Sequence, residues 1–352
     1  MFAYVGAFTS QDRDGRGNGI GVYRVDPADG GLHPVQALDG LENPSFLAAS
    51  RDGRYLYAVH GGRDYCSAFA LDPVTGAATP LGRATSGGLN GVRQDFDPAG
   101  RFMVVANYVS GNVAVLRIAA DGRLADHHDL LHLAGTLGPH RTEQTRPQPH
   151  DVAFDPSGRF VLIPDKGLDA VFVLRFDAAQ GRLSLHGRMG ARAGAGPRHV
   201  AFHPTLPFAY VCNELDSSVT ACRWDSEAGA LAALQVLPSL PEDVFAANTT
   251  SELALSRDGR FLYCSNRGHD SIARYAIDPA TGRLRSLGWS PSGGAEPRFI
   301  GRDPTGRFLY AANQNADSIV VHAIDPASGD LTPTGGRIAT GSPVTMAFVG
   351  GF

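Results

Sequence analysis

DGRFLYCSNRGHDSIARYAIDPATGR, residues 258–283, returns with small changes as TGRFLYAANQNADSIVVHAIDPASGD at 305–330. Self-similarity at a spacing of several tens of residues marks a repeat architecture, one small unit stacked many times. In each copy a polar turn with Gly and Arg leads into an aromatic and a short apolar run. A second run ends in an Asp-Pro turn closed by Gly. Val, Ile, Tyr and Phe in short runs fit a pleated, half-buried surface, Asp-Pro opens a turn, and Gly takes its positive-φ position.

Further copies lie at DGRYLYAVH ending at 60, AGRFMVVANY at 108, SGRFVLIPDKG at 167 and TLPFAYVCNE at 214, and FAYVGAFT near the start is a seventh. The turn arginines at 54, 101, 159, 260 and 307, with Pro207 in the equivalent place, step by 47 to 58 residues. That spacing fits four antiparallel strands per unit, repeated radially. One more run precedes each turn: NPSFLAAS, GVRQDFD, PHDVAFD, PRHVAFH, SELALS and PRFIGRD, with SPVTMAFV at the far end of the chain. The expected fold is a single all-β domain over 1–352, a seven-bladed β-propeller of four-stranded antiparallel blades. The first blade takes its missing strand from the C-terminal run, so that N- and C-terminal strands pair and close the ring.

A hydrophobic content of 43% with 19% charged residues belongs to a globular protein, and a formal charge of -4 without a dense basic run argues against nucleic acid. Lys166 is the only lysine, so the basic charge is almost all arginine. Arginine suits bidentate binding of carboxylate or phosphate better than Schiff-base chemistry. Cys66, Cys212, Cys222 and Cys264 lie in or beside apolar runs without CxxC spacing, which predicts buried free thiols in a reducing compartment. The opening MFAYVGAFTS lacks a signal-peptide pattern, and no apolar stretch reaches membrane-spanning length. A cytoplasmic monomer without membrane contact is expected.

Strands A to D are counted outward from the expected axis. The A-B and C-D turns are stereotyped and read as structural, whereas the D-A and B-C connections vary and carry His, Arg, Glu, Asn, Asp and Gln. Function concentrates on variable loops. The start of A and the end of B are neighbours in an antiparallel pair. This brings Arg198 or His199 beside Asn213 and Glu214, His150 near Asp165, Arg298 near Gln314, Ser251 and Glu252 near Asn266 and Arg267, and Arg93 near Asn107. Any one such pair can simply tie A to B; several converging on one mouth point to a binding or catalytic site.

The runs RPQPHDVAFDPSGRFVLIPDKGLDAVFVLRFD, GPRHVAFHPTLPFAYVCNELDSSV, SRDGRFLYCSNRGHDSIARYAID and EPRFIGRDPTGRFLYAANQNADSIVVHAID resemble the seven-bladed propeller lactonase family over essentially the whole chain. That family includes a type of 6-phosphogluconolactonase and the fungal carboxy-muconate lactonising enzymes. The resemblance implies a catalytic set of His150 from the PH motif, Arg198 from GPRH, Glu214 from NELDS and Arg267 from SNRG. Departures from the family pattern fall at Val152, where a second histidine is common, at His60, where a Glu is common, and at NGV from 90 to 92 in place of Pro-Cys-His.

Lactone hydrolysis needs an attacking water, a base for its proton, and positive charge where the carbonyl oxygen becomes negative. Glu214 or His150 is the expected base. Arg198 and Arg267 are expected to stabilise the oxyanion or bind a substrate carboxylate or phosphate, with His199, Asn213, Asp165, Arg298, Gln314 and Asn107 as further substrate contacts. The connection from about 130 to 149 departs furthest from the repeat, and its Arg141, Gln144 and Arg146 are placed to cover a bound anion. His127, His128 and His132 lie in an outer hairpin or strand without HExxH spacing, and neither a metal nor another cofactor is expected. There is no GxSxG elbow and no GxxxxGK phosphate loop. The leading function is hydrolysis of a sugar-acid lactone, with 6-phosphogluconolactone as the leading substrate. Alternatives are a cycloisomerase of the muconate-lactonising type and a non-catalytic scaffold.

Overall fold

Seven four-stranded antiparallel sheets carry the chain in the computed structural model, which describes residues 1–350. They are the seven blades of the expected propeller. Strand A of blades 2 to 7 is Pro44–Ala49, Gly91–Phe96, Ala153–Phe154, Pro197–Phe202, Thr249–Leu255 and Pro297–Arg302. Blade 1 takes strand A from the other end of the chain: Pro343–Val349 pairs antiparallel with Phe2–Ala7. The chain divides into two compact units, one from Met1–Leu56, Ala70–Thr79 and Ser239 onward, the other from Tyr57–Phe69 and Pro80–Pro238. Blades 3, 4 and 5 lie in the second unit.

Within each unit, the repeated residues fasten neighbouring blades. In the first unit, the hydroxyls of Tyr4, Tyr263 and Tyr310 donate to the carbonyls of Gly76, Gly329 and Gly30, glycines of the following C-D turns. In the second unit Tyr57 does the same to Gly122. The turn arginines reach the same turns, Arg101 to the carbonyl of Ala178 and Arg159 to that of Ser226 in one unit, Arg260 to Pro326 and Arg307 to Pro27 in the other. The aromatic after the arginine explains the glycine. Gly329 has φ +74°, and a Cβ there would stand 2.5 Å from the Phe261 ring. A left-handed backbone and a ring underneath both select glycine. Buried B and C strands from consecutive blades, such as Val161, Ile163, Phe172 and Leu174 against Val104, Ala106, Val113 and Val115, supply the apolar packing.

Blade 4 departs from the repeat. The repeat predicts a full strand A over 149–155, but only Ala153–Phe154 pair regularly with strand B, Phe160–Asp165. Pro149 has no N–H to give a ladder. The Asp165 carboxylate takes the amides of Gln148 and Leu168 instead, each at 2.9 Å. Asp151 turns its own carboxylate to the Val152 amide at 2.7 Å and the Val200 amide of blade 5 at 2.8 Å, and Arg93 of blade 3 pairs with it at 2.9 Å. One fully buried carboxylate thus joins three blades where the strand is broken.

All four cysteines are buried free thiols. No helix among the described residues is long and apolar enough to cross a membrane.

Candidate active site

In blade 5, strand A pairs with strand B, Phe208–Asn213, in a register that links Pro197 to Asn213 and His199 to Cys212. Arg198 is therefore the extra residue of a β-bulge, a device that re-aims a side chain at the end of a ladder. The same irregularity places Arg298 in blade 7, between the pairs Pro297 with Asn313 and Phe299 with Ala312. Arg198 is buried, and its Nε lies 2.8 Å from Glu214 Oε2. Glu214 stands just past strand B with its amide on the Gly196 carbonyl at 2.7 Å, so the two open ends of one hairpin meet as the pairing argument requires.

Blade 4 delivers the second half of the site. His150 holds its backbone amide on the Pro164 carbonyl at 2.9 Å and is 6% exposed. Its Nε2 is 3.9 Å from Glu214 Oε2, an ionic-range contact longer than a hydrogen bond. Its Nδ1 is buried with no hydrogen-bond partner. The ring is wedged edge-to-face between Tyr108 at 5.2 Å and His199 at 5.3 Å. Arg198 Nη1 lies 3.1 Å from His199 Nε2, so His199 braces both the arginine and the histidine.

Lys166 lies outside the set of expected site residues. It directly follows strand B of blade 4, its side chain is 4% exposed, and Nζ sits 3.2 Å from Glu214 Oε1 and 2.8 Å from Glu143 Oε2. The Tyr108 ring lies 5.4 Å from the ammonium. Its signal in the sequence is rarity, the single lysine of an arginine-rich chain inside the PDKG motif. Rarity argues against a lysine nucleophile, but it says nothing against a fixed charge.

The electrostatics follow from this packing. Burial first, and then the Arg198 charge, push His150 well below the usual histidine range, with Glu214 opposing. It is therefore neutral at physiological pH. Burial also acts to lower Lys166, but Glu214, Tyr108 and Glu143 outweigh it and hold the ammonium above the ordinary lysine value. Lys166 is a fixed positive charge and unsuited to act as a nucleophile or base. Glu214 has one oxygen on Lys166 and the other on Arg198, whereas His150 keeps a free ring nitrogen.

Several expected contacts are engaged elsewhere. The Asn213 amide donates to Ser218 and Thr220 at 2.9 and 3.0 Å, and that of Asn107 to the Ser86 carbonyl and Asn112 at 2.9 and 2.8 Å. Both brace the turn after strand B. Asp165 holds backbone amides as described, and burial raises its pKa to about 7 against their pull. Gln144 pins the 130–149 connection to the Lys166 carbonyl at 2.9 Å and to Asp169 at 2.7 Å, while Arg141 and Arg146 are not buried against the site; the residue this connection sends there is Glu143. Val152 belongs to the apolar core, and His60 bonds Ser67 at 2.8 Å.

Arg267, Arg298 and Gln314 belong to the first unit. There Arg267 is buried, donates to the Thr250 carbonyl at 3.2 Å and lies 3.7 Å from Glu296. Arg298 stacks over the Phe8 ring at 5.1 Å, and Gln314 anchors its amide on the Glu296 carbonyl at 2.9 Å while its side-chain oxygen is buried without a hydrogen-bond partner.

Comparison with known proteins identifies the family. The model of the family "Lactonase, 7-bladed beta-propeller" matches residues 2–348. The chain is 31% identical over 304 residues to the 6-phosphogluconolactonase of Bacillus subtilis (strain 168), covering 86% of this chain and 85% of the relative. It is 32% identical over 282 residues to that of Pectobacterium carotovorum subsp. carotovorum, covering 79% and 80%. The structure of the Pseudomonas aeruginosa periplasmic gluconolactonase superposes with a TM-score of 0.90 at 32% identity, over 99% of both chains. The repeat, the hairpin ends and the matched relatives lead to one conclusion: the chain belongs to the seven-bladed β-propeller lactonase family.

Proposed function

We propose that the chain hydrolyses a sugar-acid lactone, 6-phosphogluconolactone being the leading substrate, with His150 as general base. The observation that carries this reading is the buried, neutral His150 with an unpartnered Nδ1, set beside a Glu214 that is already clamped by Arg198 and Lys166. A water on Nδ1 gives up its proton to the ring as its oxygen adds to the lactone carbonyl. The C–O bond of the ring then breaks, and the departing oxygen takes the proton back from His150. Arg198 supplies fixed positive charge where the carbonyl oxygen becomes negative. Glu214 stabilises the imidazolium that forms in between and holds Arg198 in place. Arg267 enters this reading on the family resemblance.

The names of the relatives support a gluconolactone substrate, the free buried thiols support the cytoplasm as compartment, and a monomer suffices because His150, Arg198 and Glu214 lie in one chain. The test is turnover by the purified protein of glucono-δ-lactone, its 6-phosphate and a carboxy-muconate. Hydrolysis of either gluconolactone is the expected result. Turnover of the muconate alone would replace the hydrolase with a cycloisomerase, and turnover of none would remove both.

A further inference from the structure

One buried charge of the site has no contact with substrate in the proposed proton transfer. Lys166 is fixed as an ammonium, and the group that caps it on the outer side, Glu143, comes from the connection between blades 3 and 4 with a side chain that is 46% exposed. Four groups stand in line, Glu143, Lys166, Glu214 and Arg198, with alternating signs and contacts of 2.8, 3.2 and 2.8 Å. The line is neutral only while Glu143 is in place.

The inner three members are buried and mutually held. Glu143 is not: the backbone around it is tied down through Gln144 to the Lys166 carbonyl and Asp169, and through the Gly138 amide to the Gly167 carbonyl, but its carboxylate reaches the lysine from solvent. A rotation of that side chain alone exposes a positive charge beside His150, with no change in the backbone. Exchange with an incoming anion keeps the buried ammonium paired throughout, and the half-exposed Glu143 carboxylate is solvated when released, so the swap costs less than breaking the pair outright.

We propose that Glu143 occupies the position of an anionic group of the substrate, and that Lys166 is the residue that recognises this anion, a phosphate or carboxylate borne away from the lactone carbonyl. When substrate binds, its anion replaces the Glu143 carboxylate on Nζ and restores neutrality, while the lactone carbonyl lies toward Arg198 and His150. The Tyr108 ring, which contacts both His150 and the Lys166 ammonium, keeps the two subsites at a fixed spacing. This inference rests on the proposed lactonase reading and adds to it the residue that selects charged over uncharged lactones.

The experiment compares wild type, Lys166→Met, Lys166→Arg and Glu143→Gln with glucono-δ-lactone, its 6-phosphate and a carboxy-muconolactone, and titrates each protein calorimetrically with inorganic phosphate and with gluconate. Lys166→Met also removes a partner of Glu214 and is expected to slow every lactone, so the readout is the ratio of kcat/KM for the charged lactone to that for glucono-δ-lactone, which is expected to fall about 10-fold or more, a loss typical of a charge-assisted contact. Lys166→Arg restores the discrimination, and Glu143→Gln tightens severalfold the anion that the subsite takes, phosphate or the gluconate carboxylate. The charged lactone that shows the effect tells phosphate from carboxylate. Equal effects of Lys166→Met on charged and uncharged lactones, or unchanged affinity of Glu143→Gln for both phosphate and gluconate, overturn the inference. If no lactone is hydrolysed but phosphate binding depends on Lys166 and Glu143 as stated, the hydrolase reading fails and the anion subsite stands.

Discussion

Arg198 Nε lies 2.8 Å from Glu214 Oε2, both side chains buried, because a bulge at the first residues of strand A turns the arginine toward the end of strand B in the same hairpin. Two charges far apart in sequence become partners through the fold of one blade. The pair also meets His150 and Lys166 from the neighbouring blade, which is more than tying two strands together requires.

Glu214→Gln leaves Arg198 and Lys166 facing a neutral amide. Removing one member of a buried ion pair costs about 3 kcal/mol or more, and the expected result is a lowered melting temperature with the cooperative transition retained. Turnover is expected to fall by a factor of about 100 or more, as for removal of a group that stabilises a charged intermediate. Circular dichroism and steady-state kinetics on one preparation check both.

The pH profile reads the state of His150. Burial and Arg198 keep it neutral through the range where free histidine titrates, so kcat/KM is expected to be flat across pH 6.5 and to fall only well below it. An acid limb centred near 6.5 would contradict this. The same depression couples to stability: the unfolded chain binds a proton at about 6.5, the folded one resists, and stability present above that pH is lost as it falls. Asp165, raised to about 7, acts in the opposite sense, favouring the folded state as pH drops below that value. The activity profile therefore reports on His150 more directly than a melting curve does.

Tyr263→Phe removes the hydroxyl that bonds the Gly329 carbonyl of the next blade at 3.1 Å. A buried carbonyl left without its donor costs roughly 1–3 kcal/mol. Because the residue fastens blades on the A-B turn side, kcat and KM are expected to stay at wild-type values while denaturant midpoint falls. A change in kcat would show that blade fastening and catalysis are coupled.

Gly329→Ala is the harsher version of the same test. The left-handed backbone strains any side chain, and the new Cβ meets the Phe261 ring at 2.5 Å. Overpacking of this kind costs about 1–3 kcal/mol beyond the backbone strain. A variant as stable as wild type would mean that the repeat glycine has no packing role.

The repeat was legible because every residue in it has a physical reason to recur. Arg and Tyr latch onto the next turn, the aromatic fills the space under it, and Gly leaves that space. Ring closure followed from counting strands. The bulges were not legible, since nothing in PRHVAF announces that Arg198 lies outside the ladder. Nor was the broken strand of blade 4, where Asp165 and Asp151 replace backbone partners with carboxylates. The asparagines ending strand B, Asn107 and Asn213, look like binding residues in sequence because polar groups at loop ends resemble one another whether they face a ligand or brace a turn. Lys166 escaped because its importance comes from two glutamates, one 23 residues before it and one 48 after, that only the fold brings together.

The central claim is that His150 takes the proton from water during lactone hydrolysis. It is tested most directly by His150→Asn, with initial rates on whichever gluconolactone the wild type turns over. The expected result is a fall in kcat by about 100-fold or more with KM little changed and the fold intact, the behaviour of a residue acting in the transition state. A variant that keeps kcat within a few fold of wild type would contradict it.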